Sequence, residues 1–281
     1  MAALEGVRHP TAAPERHSAA RDHLAAELRA LGLEVELAPF SFRGRTYHNV
    51  EAVLPGRDAR RPRLLVGAHF DSTADTPGAD DNASGVAALI ECARLVATRQ
   101  PEAGVEFVGF DLEELQTVTG RYRVGSHALA RERRSRGEAL AGALVLEMVG
   151  YCDPTPGAQM VPPLLGIEVP RTGDFLAAVG DTRSRGLLEG FVAGARAATP
   201  DLCLVPYRTR LRGWLLPLTR LSDNASFWDA GYPALMLTDT AFLRNPHYHR
   251  STDTGATLDF TFMAQVTQAT AGAVARLADA T

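Results

Sequence analysis

Apolar and polar residues alternate along this chain in two rhythms, and each rhythm predicts a type of element. Over residues 14–32, PERHSAARDHLAAELRALG, the leucines Leu24, Leu28 and Leu31 recur at helical spacing, Pro14 suits the first turn and Gly32 the exit. LEVELAPF and NVEAVLPG then alternate apolar and polar positions around a Gly-containing connection, which predicts an antiparallel strand pair. RLLVGAH (63–69), VEFVGFD (105–111) and ALVLEMVG (143–150) are short, continuous apolar runs, as strands covered on both faces require. ASGVAALIECARLVATR (83–99) predicts a helix with Val86, Leu89, Ile90, Ala93 and Val96 on one face, and another helix is expected after Gly125-Ser126. Proline and glycine crowd the stretch from Tyr151 to about Pro170, an irregular surface excursion. FLAAVGD fits strand or helix equally; LLEGFVAGARAAT reads as a helix, CLVPY and ALMLTD as strands, and the residues from Phe260 onward as a closing helix. Without an internal repeat or a convincing linker, this alternation predicts one domain over residues 1–281, a three-layer α/β/α fold with a mostly parallel sheet.

Composition narrows the class. An apolar content of 46% in 281 residues supports a substantial core. A net charge of -4 and a pI near 6.1 leave no basic footprint for nucleic acid. Cys92, Cys152 and Cys203 are odd in number and widely spaced, so reduced thiols and a cytoplasmic location are expected. The first twenty residues lack a cationic start followed by an apolar core, and no apolar run approaches the roughly eighteen residues of a membrane helix, so neither secretion nor a membrane is expected. Nothing in the sequence indicates an oligomeric state.

In open α/β sheets, ligands bind beyond the carboxyl ends of the strands. The four runs that predict such ends are each followed by ionisable residues: His69 and Asp71, with Asp80 and Asp81 in the next loop; Asp111, Glu113 and Glu114; Glu147; and Asp239, then the loop RNPHYHRSTDT. Singly, each has a plain structural explanation; Asp80-Asp81-Asn82, for example, is what helix capping would select. Together, Asp81, Glu113, Glu114 and Glu147 would crowd one crevice with negative charge, and divalent cations would relieve the conflict. Imidazoles complete a mixed nitrogen and oxygen donor set suited to zinc, with Asp71 placed to orient His69. From the residues alone, His247 and His249 are equivalent candidates.

Six segments, in order, carry a resemblance: GAHFDS, PGADDNASG, FDLEE with a later GS, LEMVGY, SDNASFWDAGYPAL and NPHYHRSTDT. From about residue 8 to the C-terminus the chain resembles the co-catalytic zinc aminopeptidases, metallopeptidase family 28, whose relatives include glutamate carboxypeptidases and glutaminyl cyclases. The resemblance implies a phosphorylase/hydrolase-like zinc exopeptidase fold, with a mixed sheet of about eight strands flanked by helices. It also implies two zinc ions, other divalent metals being possible. His69 and Glu147 would bind the first ion, Glu114 the second, Asp81 would bridge both, and His249 would be the final ligand. Asp80 would be a capping or loop residue and Glu113 the general base. The implied substrate is a peptide with a free N-terminus, its α-amine held by metal-site carboxylates. Tyr248, beside His249, is a candidate hydrogen-bond donor to the oxyanion, and Asp253 a candidate partner of His249.

Three positions depart from the family pattern. Glu147 stands where many members have aspartate; ELQTVTGRYRVGS is longer than the usual link between Glu114 and Gly125-Ser126; and Asn224 stands where relatives often have histidine. Two other functions remain open on this evidence: a one-zinc glutaminyl cyclase, and a non-catalytic metal-binding member of the fold.

Overall fold

The computed structural model describes residues 3–114, 122–163 and 165–280. Helix α1 (Pro14–Ala30) begins with proline at its first turn, where the missing amide costs nothing. Strands β1 (Glu34–Phe42) and β2 (Arg45–Leu54) form the expected antiparallel pair, with Phe42 opposite Arg45. Their two-residue connection, Arg43-Gly44, has positive φ at both positions (50° and 75°), the backbone that matches the twist of a tight hairpin. The apolar runs become β3 (Arg63–His69), β4 (Val105–Phe110) and β5 (Leu140–Glu147), which starts three residues earlier than its apolar run. Helices α2 (Gly85–Val96) and α3 (Val124–Ser135) fall where helices were expected. FLAAVGD resolves to a strand, β6 (Phe175–Gly180), because both its faces are covered. The order continues with α4 (Arg185–Ala198), β7 (Cys203–Arg208), α5 (Asn224–Ala230), β8 (Ala234–Thr238) and α6 (Phe260–Asp279). Asp259 caps α6, accepting hydrogen bonds from the amides of Thr261 and Phe262.

The eight strands form one mixed sheet in the order β1-β2-β4-β3-β5-β8-β6-β7. The central run β4-β3-β5-β8 is parallel throughout, so four carboxyl ends open on one edge. Strand β6 runs antiparallel to β8, and β2 runs antiparallel to β4. Helices α1, α2, α4 and α6 cover one face, where Leu24, Leu28, Leu89, Phe191 and Val266 join one apolar core. On the other face α3 and α5 bury Leu129, Phe227 and Trp228 against Phe110. Across β6 and β7 that second face is roofed by residues 159–163, 165–169 and 216–221 instead of a long helix.

Buried Leu24 separates packing from surface effects. Leu24→Ala should lower unfolding free energy by roughly 2–5 kcal/mol, whereas Leu95→Ala, at a side chain 49% exposed, should stay within about 0.5 kcal/mol of the parent. Urea denaturation midpoints check both.

Candidate functional site

The parallel strand ends bring two imidazoles to one carboxylate. His69, the last residue of β3, is buried, with Nε2 3.3 Å from Asp81 Oδ1 and 3.5 Å from Glu147 Oε2. His249 Nε2 lies 3.0 Å from Asp81 Oδ2 and 3.4 Å from Glu114 Oε1. The two oxygens of Asp81 therefore face different histidines. Within each trio, His69–Asp81–Glu147 and Asp81–Glu114–His249, the donor atoms lie within 4.8 Å of one another. One divalent ion fits each trio, and Asp81 is common to both.

Each donor is held by local structure. The amides of Asp80 and Asp81 donate to Asp253 Oδ1 (2.8 Å) and Oδ2 (3.2 Å), and the Asp81-Asn82 peptide is cis. Asn82 ties this turn to β5, donating to Leu146 O (2.9 Å) and accepting from the amides of Met148 and Gly85 (3.1 Å each). Glu147 Oε2 accepts from Ser222 Oγ at 2.6 Å. Asp71 has two roles: Oδ1 is 3.4 Å from His69 Nδ1, and its two oxygens accept the amides of Glu113 (3.0 Å) and Glu114 (3.1 Å). The segment is closed from the far side by Arg123 N to Glu113 O (2.7 Å) and Gly125 N to Asp111 O (2.9 Å). Glycine is required at 125, since a Cβ there would lie 2.3 Å from Asp111 O. Leu112, Met148 and His249 all adopt positive φ (57°, 47° and 54°). Left-handed backbone at three non-glycine residues is strain concentrated where donor side chains leave their elements.

The electrostatics show what the cluster lacks. Burial pushes the Glu114 carboxyl up to about 7, with the Asp81 charge adding to the effect. Burial likewise raises Glu113 well above the carboxylate range, reinforced by the charges of Asp223, Glu147 and Glu114. Burial opposes charge on His249 too, but Asp81 and Glu114 overcome it and raise the imidazole to about 10. His69 is raised in the same way, chiefly by Glu147 and then by Asp71 and Asp81. Asp81 stays ionised against its burial because both imidazoles face it. Both ring nitrogens of His69 are buried without a well-aligned hydrogen bond, and so is Glu113 Oε1. Positive charge is what this set of buried carboxylates calls for, and its nitrogen and oxygen donors suit divalent ions.

One permanent cation lies behind the cluster. Arg8 is buried and donates to Phe70 O (2.9 Å), Pro77 O (2.9 Å), Gly78 O (2.8 Å), Gly6 O (2.9 Å) and Leu4 O. All these partners are carbonyls, so its charge acts on Asp71, Asp81, Asp253 and Glu114 through space. Sequence reading missed Arg8 because those carbonyls come from segments up to seventy residues away. It also missed Ser222 and the buried Asp223, whose carboxyl burial pushes up to about 7.

The structure thus gathers His69, Asp71, Asp81, Glu113, Glu114, Glu147 and His249 at one edge. Tyr248 stacks on His249 with ring centroids 3.9 Å apart. The expected pairing of Asp253 with His249 is not found, and the other candidates take the following places. Asp253 binds the amides of Asp80 and Asp81, with no hydrogen bond to His249. Asp80 is a buried loop residue that accepts from Gly150 N (2.9 Å) and Asn245 Nδ2 (2.6 Å), and no side-chain cap comes from it. Asp239 turns to the amides of Tyr151 and Ala241 rather than to either trio. His247 points to Thr252, outside both trios. Asn224 is buried and donates to Thr219 O (3.0 Å), which makes it a support for the loop before α5. The long link after Glu114 lies largely, over 115–121, outside the described residues.

The mixed, mostly parallel sheet thus presents two acid and histidine trios at the carboxyl edge of its central strands. The family description Peptidase family M28 matches residues 49–274, and this chain belongs to that family. It is 37% identical over 234 residues to the uncharacterized protein YfbL of Escherichia coli K12, covering 79% of this chain and 69% of that protein. It is 28% identical over 241 residues to leucine aminopeptidase 1 of Arthroderma otae, covering 82% of this chain but only 58% of that enzyme's length. Among solved structures, the LapA aminopeptidase of Legionella pneumophila superposes with a TM-score of 0.75 at 18% identity, over 98% of this chain and 67% of its own. Glutaminyl cyclase of Porphyromonas gingivalis does so with 0.71 at 22% identity, over 96% and 92%. The fold is therefore shared by aminopeptidases and glutaminyl cyclases.

At neutral pH the metal-free His249 imidazole is protonated, so a divalent ion entering its trio must displace that proton. Metal affinity should therefore rise with pH. Calorimetric titration in buffers of different ionisation enthalpy should show net proton release, and a pH-independent affinity would contradict the charge assignment.

Proposed function

We propose that the protein is a metal-dependent aminopeptidase that removes N-terminal residues from peptides. The observation that carries this reading is the sharing of Asp81 between the two trios, with Glu113 buried beside them and free of hydrogen bonds at Oε1. Two divalent ions, zinc being suited to the donors, would be held by His69, Asp81 and Glu147 and by Asp81, Glu114 and His249. When bound, they would supply Lewis acidity that activates water and polarises the scissile carbonyl. Glu113 belongs to neither trio; divalent charge beside it would offset the neighbouring carboxylates that raise its pKa, which leaves its carboxylate to take a proton from water and hand it to the leaving amine. Adjacent glutamates with separate tasks also explain why both amides are anchored to Asp71: each side chain must leave the backbone in its own direction.

Tyr248 would donate its phenol to the developing oxyanion. Burial and the surrounding carboxylates raise its pKa, so the proton stays available for donation. Ser222 fixes Glu147 by one oxygen and thereby absorbs the extra methylene of glutamate. Glu147 stands where a free α-ammonium would sit, and it borders an apolar cleft that suits an apolar first residue. Cyclisation of N-terminal glutamine is the second reading, favoured by the likeness to the Porphyromonas gingivalis enzyme.

Metal-reconstituted protein assayed on aminoacyl anilides tests the proposal. Glu113→Gln should keep its metal and lose about 10²–10⁴-fold in kcat; undiminished activity would remove the base assignment. Equal inactivity of the parent and Glu113→Gln across the panel, with metal bound, would remove the aminopeptidase reading, and cyclisation of glutaminyl peptides by a one-metal protein would replace it. His249→Ala should lose metal and activity, while His247→Ala should retain most of both.

A further inference from the structure

We propose that the substrate carries, on the acyl side of the scissile amide, an apolar group of roughly eight or more carbon atoms, larger than any aliphatic amino-acid side chain. This rests on the hydrolytic reading above and names its substrate class.

The group would fill a cleft that begins at the metal centre, where Glu147 and Tyr248 form its end, and runs across β8, β6 and β7. Strand periodicity makes the floor: Phe175, Ala177 and Val179 alternate along β6, with Val205 and Tyr207 beside them on β7. Elsewhere on this face α3 and α5 cover the sheet, but here the roof is made by the irregular segments carrying Met160, Val169, Leu216 and Leu218. From Glu147 at the end of β5 to Val205 on β7 the cleft crosses three strand spacings, each of about 4.8 Å, a span longer than a leucine side chain reaches.

The walls specify what enters. Several of their polar side chains are already engaged: Gln159 donates to Thr240 Oγ1 (2.9 Å) and accepts from Arg244 Nε (2.9 Å). Thr219 Oγ1 donates to Leu216 O (2.8 Å), and Thr238 Oγ1 accepts from Thr240 N (2.9 Å). A peptide main chain laid along this cleft would leave its own amides and carbonyls without partners, a large desolvation cost. An apolar body with one polar end meets no such penalty, and the charged wall residue, Glu147, stands at the metal end. Met160, Ile167, Leu221 and Phe242, between 40% and 56% exposed, line the mouth. These exposed apolar side chains extend the same surface outward.

Two sources offer such a group: a bulky aromatic N-terminal residue, or an alkyl chain. Coumarin amides of alanine, leucine, naphthylalanine, 2-aminodecanoic acid and decanoic acid separate them when assayed with the metal-loaded protein. The expected result is a rise in kcat/KM of roughly threefold per added methylene, so that 2-aminodecanoyl or naphthylalanyl exceeds leucyl by roughly tenfold or more. Preference for naphthylalanyl identifies the aromatic source, and preference for 2-aminodecanoyl the alkyl source. Comparable cleavage of the decanoyl amide would extend the alkyl source to chains without an α-amine. A leucyl amide cleaved as fast as every larger one overturns the inference and leaves the aminopeptidase reading intact.

If no amide is cleaved, the hydrolytic reading fails, and binding decides the inference separately. Calorimetry on metal-free protein should show 2-aminodecanoic acid N-methylamide binding roughly tenfold or more tightly than leucine N-methylamide; equal affinities overturn it. Ala177→Phe fills the floor and should depress 2-aminodecanoyl cleavage and binding more than leucyl, with an unchanged Tm showing that the variant folds. An unchanged ratio in a folded variant, there or in Val205→Phe, also overturns the proposal.

Discussion

The Asp81 carboxylate is the point on which the rest of the site depends. Its two oxygens lie 3.3 and 3.0 Å from different imidazoles, so one buried side chain fixes the separation of the two trios. Burying a carboxylate this deeply is unfavourable unless positive charge meets both oxygens. The fold meets that demand by converging on it. Strand β3 delivers His69, the loop after β8 delivers His249, and Arg8 adds a fixed charge from behind through carbonyls alone. Asp253 accepts the amides of Asp80 and Asp81 themselves, so the turn that presents Asp81 is anchored by the protein alone.

The same constraint explains the strain. Parallel strands end at similar heights, but the donors must converge from β3, β4, β5 and the loop after β8 onto a space of a few ångströms. Sharp departures from the strand direction are needed, and Leu112, Met148 and His249 supply them with left-handed backbone. Such conformations persist where surrounding hydrogen bonds outweigh their cost, here those from Asp71, Asn82 and the 123–125 segment. A preorganised site also reduces the reorganisation needed at the moment of reaction.

Much of this was legible in the sequence where the signal is local or periodic. RLLVGAH gave strand β3 to the residue, and the position of His69, Glu113, Glu114 and Glu147 followed from the rule that ligands gather at parallel strand ends. The choice of His249 over His247 needed the family resemblance, because both sit in one loop and only the turn at residue 249 aims a ring inward. Helix α5 went unseen: seven residues are too few to establish a helical stripe, and its ends are set by tertiary contacts and by Gly231 at φ 88°. Arg8, Ser222 and Asp223 were invisible for a related reason. Their partners are backbone atoms or side chains from distant segments, and no spacing rule reports those. The apolar cleft is likewise a property of which sheet face lacks a helix, and that appears only once the strand order is known.

We propose that one aspartate, Asp81, organises two metal positions. Crystals of protein reconstituted with zinc, measured on both sides of the zinc absorption edge, test it directly. Two anomalous peaks are expected flanking Asp81, one against His69 and Glu147 and the other against Glu114 and His249. A single peak, or peaks away from Asp81, would contradict it.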